Sequence, residues 1–201
     1  MFIKKLPYLG VIILMLILSG CDVVKLDADG KPIIPMSASA AASFDNMTPK
    51  DIAARLWGKI IPAASKESKD WVLLKSEISK VPSGQSKSFF AKIEGTVNEV
   101  STDEKDKKMQ ISVGDEKIIV QLGTNVKGNS IRDASSSIIQ FDLFKNQVQF
   151  ARLSKELNKK AISGVVMPDP QWQGYSVNTL VAVTIRDNNV TDIVPLEINK
   201  R

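Results

Sequence analysis

The chain has 201 residues, of which 43% are hydrophobic and 24% are charged, and its formal net charge at pH 7 is +5. It contains no histidine, which excludes a Ser-His-Asp or Cys-His catalytic site and any histidine-ligated zinc. The positive charge is too small and too dispersed to favour nucleic-acid binding, and the one cysteine, Cys21, leaves no partner for an intrachain disulfide.

The N-terminus has the three parts of a secretory signal peptide. Lys4 and Lys5 form a positive region, residues 6–18 form an apolar run, and small residues follow. The apolar run is shorter than the roughly 20 residues that a membrane-spanning helix needs. Residues 1–20 are therefore predicted to be a cleaved signal peptide.

The signal ends in Leu18-Ser19-Gly20-Cys21, which resembles the lipobox of bacterial lipoproteins. The resemblance implies that the Cys21 thiol receives diacylglycerol, and that cleavage frees its amino group for a third acyl chain such as palmitate. Several acyl chains hold a protein stably on a bilayer. Asp22 resembles the signal that retains such a lipoprotein in the inner membrane, with the outer membrane as the alternative. The expected location is the bacterial periplasm, with the chain anchored to the membrane through Cys21.

Residues 21–43 are predicted to be the lipidated cysteine and a flexible linker. Pro32, Pro35 and a run of small polar residues interrupt any regular pattern there. A flexible chain of this length reaches roughly 25 Å from the membrane.

Residues 44–88 are predicted to be a helical N-terminal segment. The first helix begins at Thr48, whose hydroxyl can cap it, and Pro49 suits the first helical position. Pro62 is expected to end or kink this helix. Its apolar face consists of Ile52, Leu56 and Ile60. A second helix is expected over residues 69–79 and a loop over residues 80–88; the apolar face of that second helix consists of Trp71, Leu74 and Ile78.

Residues 89–201 are predicted to form a β-rich core. Apolar residues recur at every second position in six segments, and Gly114-Asp115-Glu116 and Asp187-Asn188-Asn189 are hairpin turns. A helical pattern covers residues 149–160, between the third and fourth strands. The predicted strands are residues 89–100, 109–113, 117–122, 162–166, 179–185 and 190–198.

This order predicts an α+β fold: a small OB-like antiparallel β-barrel with a helix between strands 3 and 4, preceded by the short helical segment. The alternative is a small open antiparallel sheet with a helix packed on one face.

The segment from Val126 to Asn158 has the most distinctive polar and aromatic residues of the chain: Arg132, Asp133, Phe141, Phe144, Asn146 and Gln147. One interpretation is structural, with the arginine bound to carbonyls, the amides fixing backbone before a helix, and the aromatic rings in the core. In the other, these polar groups line a pocket for a sugar-like ligand, walled by the two phenylalanines. Catalysis by the aspartate is a third interpretation, but it lacks a second carboxylate at a defined spacing.

The same segment carries a resemblance to a known family. The pattern is Gly128-x-x-x-Arg132-Asp133-Ala134, then Phe141-x-x-Phe144-x-Asn146-Gln147-x-x-Phe150-Ala151, then Leu157-Asn158. Together with the lipobox, the helix around Trp57 and the strand around Gly95, it resembles the predicted periplasmic lipoproteins grouped as domain-of-unknown-function family 2291. That family has no established activity. Its members tend to be encoded beside sugar ABC-transport components, which implies such components as partners.

The stretch from Met167 to Tyr175 departs from the family pattern. It contains Trp172, beside Pro170, and we predict that this tryptophan is an exposed contact residue, whereas Trp71 on its helical stripe is predicted to lie in the core.

These observations leave three functional hypotheses. The first is a non-enzymatic, lipid-anchored periplasmic module that assists a solute-uptake system by contacting a protein or by holding a small ligand. The second is a structural envelope lipoprotein with protein partners only, and the third is a histidine-free hydrolase. No catalytic residue, metal ligand or cofactor is predicted.

We expect replacement of Cys21 by serine to abolish lipidation, because serine lacks the nucleophilic thiol. The precursor should then keep its signal peptide and lack the mass of the acyl chains. Unchanged cleavage and mass in Cys21→Ser would contradict the predicted anchor.

Overall fold

The computed structural model describes residues 43–201. The predicted signal peptide, Cys21, Asp22 and nearly all of the linker lie outside these residues. Within residues 43–201, no helix combines the length and the apolar character needed to cross a bilayer.

Six strands and four α-helices make up residues 43–201, together with two short 3₁₀ turns, Phe141–Leu143 and Pro170–Trp172. The strands are β1 (Lys69–Asp70), β2 (Ser86–Val100), β3 (Lys108–Val113), β4 (Glu116–Gln121), β5 (Ser176–Arg186) and β6 (Asn189–Lys200). The helices are α1 (Pro49–Glu67), α2 (Trp71–Ile78), α3 (Ser130–Ala134) and α4 (Gln147–Gly164).

Helix α1 begins where the sequence predicts. The Thr48 hydroxyl oxygen accepts a hydrogen bond from the Asp51 backbone N–H at 3.2 Å, and Pro49 occupies the first helical position. The helix does not end at Pro62 but continues to Glu67. Ile60 and Ala64, on either side of the proline, are fully buried, so packing holds the helix together across the lost hydrogen bond.

The long strand β2 organises the sheet, whose strand order is β4-β3-β2-β5-β6. Along residues 86–96 it pairs antiparallel with β5, and along residues 96–100 its other edge pairs with β3. β1 pairs in parallel with β2 at residues 91 and 92. This staggered pairing curls the sheet into a half-barrel. β4 and β6 are the two ends of the order, and no strand pairing joins them in the described part of the chain.

Apolar residues lie on both faces of the curled sheet and form two cores. The inner core includes Ile93 and Val97 of β2 and is capped by Trp71 and Leu74 of α2. The outer core lies between the other face of the sheet and the helices α1 and α4. Its members include Phe90, Leu180, Ala182, Val194, Ile52, Leu56, Leu153 and Leu157. Strand β5 contributes to both cores, which explains its nearly continuous buried run.

Several predicted boundaries are corrected by the structure. Residues 162–166 are not a strand, because α4 continues to Gly164 and its buried stripe extends through Leu157 to Ala161. The second helix starts at Trp71 rather than at residue 69, since residues 69 and 70 pair with β2. β2 begins at Ser86, within the predicted loop. Residues 130–134, around Arg132, form the short helix α3.

Both predicted hairpins are present. Gly114 has φ +59°, and Asp187 and Asn188 have φ +48° and +61°, which are the left-handed conformations of tight hairpin turns.

We expect Gly95→Ala to lower the free energy of unfolding by about 1–3 kcal/mol. A Cβ atom at Gly95 would collide with the Ser112 carbonyl oxygen and the Ile111 side chain, where β2 passes from one pairing to the other. The matched control is Gly58→Ala in α1, where a Cβ meets no atom within 4 Å and the change should stabilise the helix by roughly 0.5–1 kcal/mol. Urea denaturation of both variants measures the difference, and equal stabilities would contradict this account of the sheet.

Candidate functional site

Arg132 and Asp133, predicted as site residues, form a closed pair. The Arg132 guanidinium lies over the Phe150 ring at 4.2 Å, and its Nε donates to Asp133 Oδ1 at 2.7 Å. A third contact joins Arg132 Nη1 to the Phe150 carbonyl oxygen at 3.5 Å. The Arg132 side chain is 12% exposed, so packing and pairing already occupy most of its surface. These contacts favour the structural interpretation of the pair.

Phe141 and Phe144 also come together, but around another aromatic ring rather than around an opening. Both rings pack edge-on against Phe150, at centroid distances of 5.3 and 5.1 Å. Phe144 is buried and also contacts Phe44 at 5.2 Å, whereas Phe141 is half exposed. The predicted aromatic wall is therefore a packed cluster beneath Arg132.

Asn146 caps helix α4, since its side-chain oxygen accepts a hydrogen bond from the Gln149 backbone N–H at 2.9 Å. Gln147 is exposed and makes no side-chain hydrogen bond within residues 43–201. The amide that fixes the chain is Gln149, which donates to the carbonyl oxygens of Phe44 and Met47 at 2.8 and 2.9 Å. Asn146-x-x-Gln149 follows the capping-box pattern, so the sequence contained a signal for this role.

Trp172 is not the exposed contact residue that the sequence predicts. Its side chain is 9% exposed and belongs to the inner core, because the 3₁₀ turn that starts at Pro170 folds it back onto the sheet. The neighbouring Tyr175 is the exposed ring, and Lys200 Nζ lies 3.4 Å from its centroid. The prediction that Trp71 lies in the core is confirmed.

A groove of about 690 Å³ lies along the open edges of β4 and β6. We call it the seam groove. It contains four lysines, three carboxylates and four side-chain amides, beside apolar residues of α2 and both strands. Its lining includes Trp71, Lys75, Asp106, Lys108, Glu116, Lys117, Ile119, Gln121, Asn125, Lys127, Asn188, Asn189, Val190, Thr191 and Asp192.

One wall of the seam groove is fixed by Glu116. Its carboxylate accepts hydrogen bonds from Lys75 Nζ at 2.7 Å and from the Trp71 indole N–H at 2.9 Å. The bond from Lys75, followed by that from Trp71, holds the pKa of Glu116 below its ordinary value, so the group stays ionised at neutral pH. This network ties α2 to the first residue of β4.

Other polar groups of the groove have no such partner. Asn188, Lys108 and Asp192 make no side-chain hydrogen bond or ion pair within the described residues. They come from the β5–β6 turn, from the start of β3 and from β6. In OB-folds, the loops between the first and second and between the fourth and fifth barrel strands bind oligonucleotides and oligosaccharides. The barrel strands here are β2 to β6, so the equivalent segments are the β2–β3 loop, which contributes Asp106 to the groove, and the β5–β6 turn, which contributes Asn188.

Gly128 holds the loop after β4 against β6. Its φ is +92°, and a Cβ atom there would lie within 2.7 Å of three side-chain atoms of Asp192. Asn158 of α4 donates to the Gly128 carbonyl oxygen at 3.1 Å. Gly128 and Asn158, both part of the sequence pattern quoted above, therefore position one end of the seam groove.

The arrangement can hold a ligand through hydrogen bonds from amides, carboxylates and ammonium groups. In residues 43–201, no three histidine, cysteine, aspartate or glutamate side chains come together as a metal site would require. Sequence reasoning missed the groove residues because they lie far apart along the chain. The turn at residues 187–189 and the charged loop before β3 were the available signals, through the predicted OB-like order.

Strand order, helix position and groove together define an OB-type domain, as the sequence predicts. The structure is similar to an OB-fold protein from Thermotoga maritima MSB8, with a TM-score of 0.57 and 16% identity, over 78% of this chain and 100% of that one. The family model described as "Predicted periplasmic lipoprotein (DUF2291)" matches residues 11–199. The chain belongs to this family, which supports a periplasmic location. Among proteins of curated function, none matches the sequence.

We expect Arg132→Ala to lower the free energy of unfolding by about 1–3 kcal/mol, because it removes a largely buried cation from the Phe150 ring together with its ion pair to Asp133. The control, Gln147→Ala, should change stability by less than about 0.5 kcal/mol, since its side chain is exposed. Chemical denaturation measures both. An Arg132→Ala protein as stable as the control would contradict the structural role.

Proposed function

We propose that this chain is a non-enzymatic, lipid-anchored periplasmic module that binds a hydroxyl-rich ligand such as a sugar in the seam groove. The observation that carries the proposal is the position of the groove. It lies at the unpaired edges of an OB-type sheet, between the loops that this fold uses for binding, and several of its polar groups have no partner within residues 43–201.

The chemistry of the groove supports a neutral ligand. Four lysines and three carboxylates line it, so a strongly charged molecule would meet groups of its own sign. Hydroxyl groups both donate and accept, which suits Asp192 as acceptor, Lys108 as donor and Asn188 as either. Ile119, half exposed on β4, offers an apolar surface for the non-polar face of a sugar ring.

The predicted anchor and the family resemblance support a proposed role in solute uptake. Acyl chains on Cys21 and a linker that reaches roughly 25 Å would keep the groove close to a membrane. Family members tend to be encoded beside sugar ABC-transport components. We propose that the module holds a sugar near such a system in the inner membrane, without altering it chemically.

A second candidate function rests on a different observation. Val72 and Leu73 of α2 are 71% and 59% exposed and lie next to each other, beside Trp71 at the seam groove. Exposed adjacent apolar side chains are typical of protein contacts. In this alternative the chain is a structural envelope lipoprotein with protein partners only.

The test is thermal unfolding of the mature chain in detergent with a panel of neutral mono- and disaccharides. At least one sugar should raise the unfolding midpoint, increasingly with concentration, because a ligand that binds only the folded state stabilises it. Asp192→Asn should lower the affinity for that sugar about tenfold, because it removes a charged hydrogen-bond acceptor. The matched control Asp142→Asn, exposed and outside the groove lining, should respond like the wild type.

An unfolding midpoint that no sugar in the panel raises would contradict sugar binding. Co-purification of a membrane protein that is lost on replacing Val72 and Leu73 by serine would then favour the second candidate function.

A further inference from the structure

A second cavity, of about 620 Å³, lies between helix α4 and the loop that follows β4. We call it the helix cavity. One wall is the loop over residues 123–129, and the other is formed by residues 151–163 of α4. It is separate from the seam groove, although Asn125 lines both. The side chains that the helix contributes are Ala151, Ser154, Lys155, Asn158, Lys159, Ile162 and Ser163.

Two polar atoms beside this cavity have no hydrogen-bond partner in the described residues: the Ser154 hydroxyl oxygen and Asn158 Oδ1. Their residues are 3% and 4% exposed, and both atoms are shielded from bulk water. Four positions apart on α4, the two side chains share one face of the helix. Buried polar atoms of a folded protein almost always have a partner, so two orphans on one face are unusual.

Neither atom finds a partner among its local contacts in residues 43–201. A serine in a helix commonly donates to a carbonyl oxygen one turn earlier, as Ser163 does to Lys160 at 2.9 Å. For Ser154 the oxygen four positions earlier belongs to Phe150, which Arg132 approaches. The Asn158 side-chain amide donates a hydrogen bond to the Gly128 carbonyl oxygen, which fixes the orientation of the side chain. Its Oδ1 atom then has no donor within residues 43–201.

The charge around the helix cavity has one sign. Lys155 and Lys159 line it and no carboxylate does, in contrast to the seam groove. Lys159 pairs with Glu156 at 2.8 Å, whereas Lys155 forms no ion pair within residues 43–201. The cavity therefore offers hydrogen-bonding groups at its inner wall and a free ammonium group on the helix.

We propose that the helix cavity is a second binding site, which takes a small hydroxylated anion such as a sugar acid or a sugar phosphate. Ligand hydroxyls bind the Ser154 hydroxyl and Asn158 Oδ1, and the anionic group binds the Lys155 ammonium. A serine hydroxyl turns by rotation about one bond, so a ligand in the cavity can engage it without a backbone change. The carboxylate and the phosphate ester share this chemistry. The site does not depend on sugar binding in the seam groove.

The experiment is isothermal titration of the full mature chain in detergent with D-gluconate, D-galacturonate and D-glucose 6-phosphate, beside D-glucose and inorganic phosphate. Ser154→Ala and Lys155→Ala probe the two halves of the site. Ser154→Ala removes no hydrogen bond that the structure shows, so the variant should fold. Lys160→Ala is the control, because Lys160 is exposed on the same helix and outside the cavity lining.

At least one hydroxylated anion should bind more tightly than glucose and phosphate. Tighter binding of a sugar acid would identify a carboxylate ligand, and tighter binding of glucose 6-phosphate would identify a phosphate ester. Both Ser154→Ala and Lys155→Ala should lower the affinity for that probe about tenfold or more, and Lys160→Ala should leave the affinity unchanged. The inference is overturned if none of the three hydroxylated anions binds, or if binding survives both variants. Loss of the signal in Asp192→Asn alone would also overturn it, because the probe would then occupy the seam groove.

Discussion

The staggered pairing of strand β2 is the constraint on which the rest of the structure depends. Its first part pairs with β5 and its last part with β3, and the two pairings overlap at Thr96, next to Gly95. A side chain at Gly95 would collide with β3, so the close approach requires glycine. This stagger curls the sheet, buries one face as the inner core, and leaves β4 and β6 as edges that approach without pairing. The seam groove is the direct consequence of that incomplete closure.

Helix α4 links the outer core to the two cavities. Leu153, Leu157 and Ala161 anchor it on the outer face of the sheet, and Asn158 holds Gly128 and so places the loop after β4 against Asp192 of β6. The same loop separates the seam groove from the helix cavity. Arg132 and the phenylalanine cluster brace the N-terminal half of α4. The distinctive residues of the sequence thus support the site rather than form it.

Sequence reasoning predicted the periodic elements well, because a period of two or of 3.6 is a local property. The Thr48 cap, the hairpin at Gly114 and the OB-like order all depend on neighbours in the chain. Residues 162–166 were assigned wrongly because their β-branched side chains favour a strand, whereas Leu157 and Ala161 extend the buried helical stripe. Trp172 was wrongly predicted to be exposed, because the 3₁₀ turn at Pro170–Trp172 determines whether its side chain faces the core or the solvent. The seam groove combines residues from α2, three strands and three connecting segments, whose proximity follows only from the pairing of distant strands.

The central claim is that the open edges of β4 and β6 form the recognition surface of this periplasmic lipoprotein. Its most direct test is an amide NMR titration of the mature chain with a neutral sugar, followed residue by residue. The account predicts that chemical-shift changes cluster in residues 116–121 and 188–193 and leave α1 unaffected. Changes confined to α1 and the phenylalanine cluster, or no change at any amide, would contradict it.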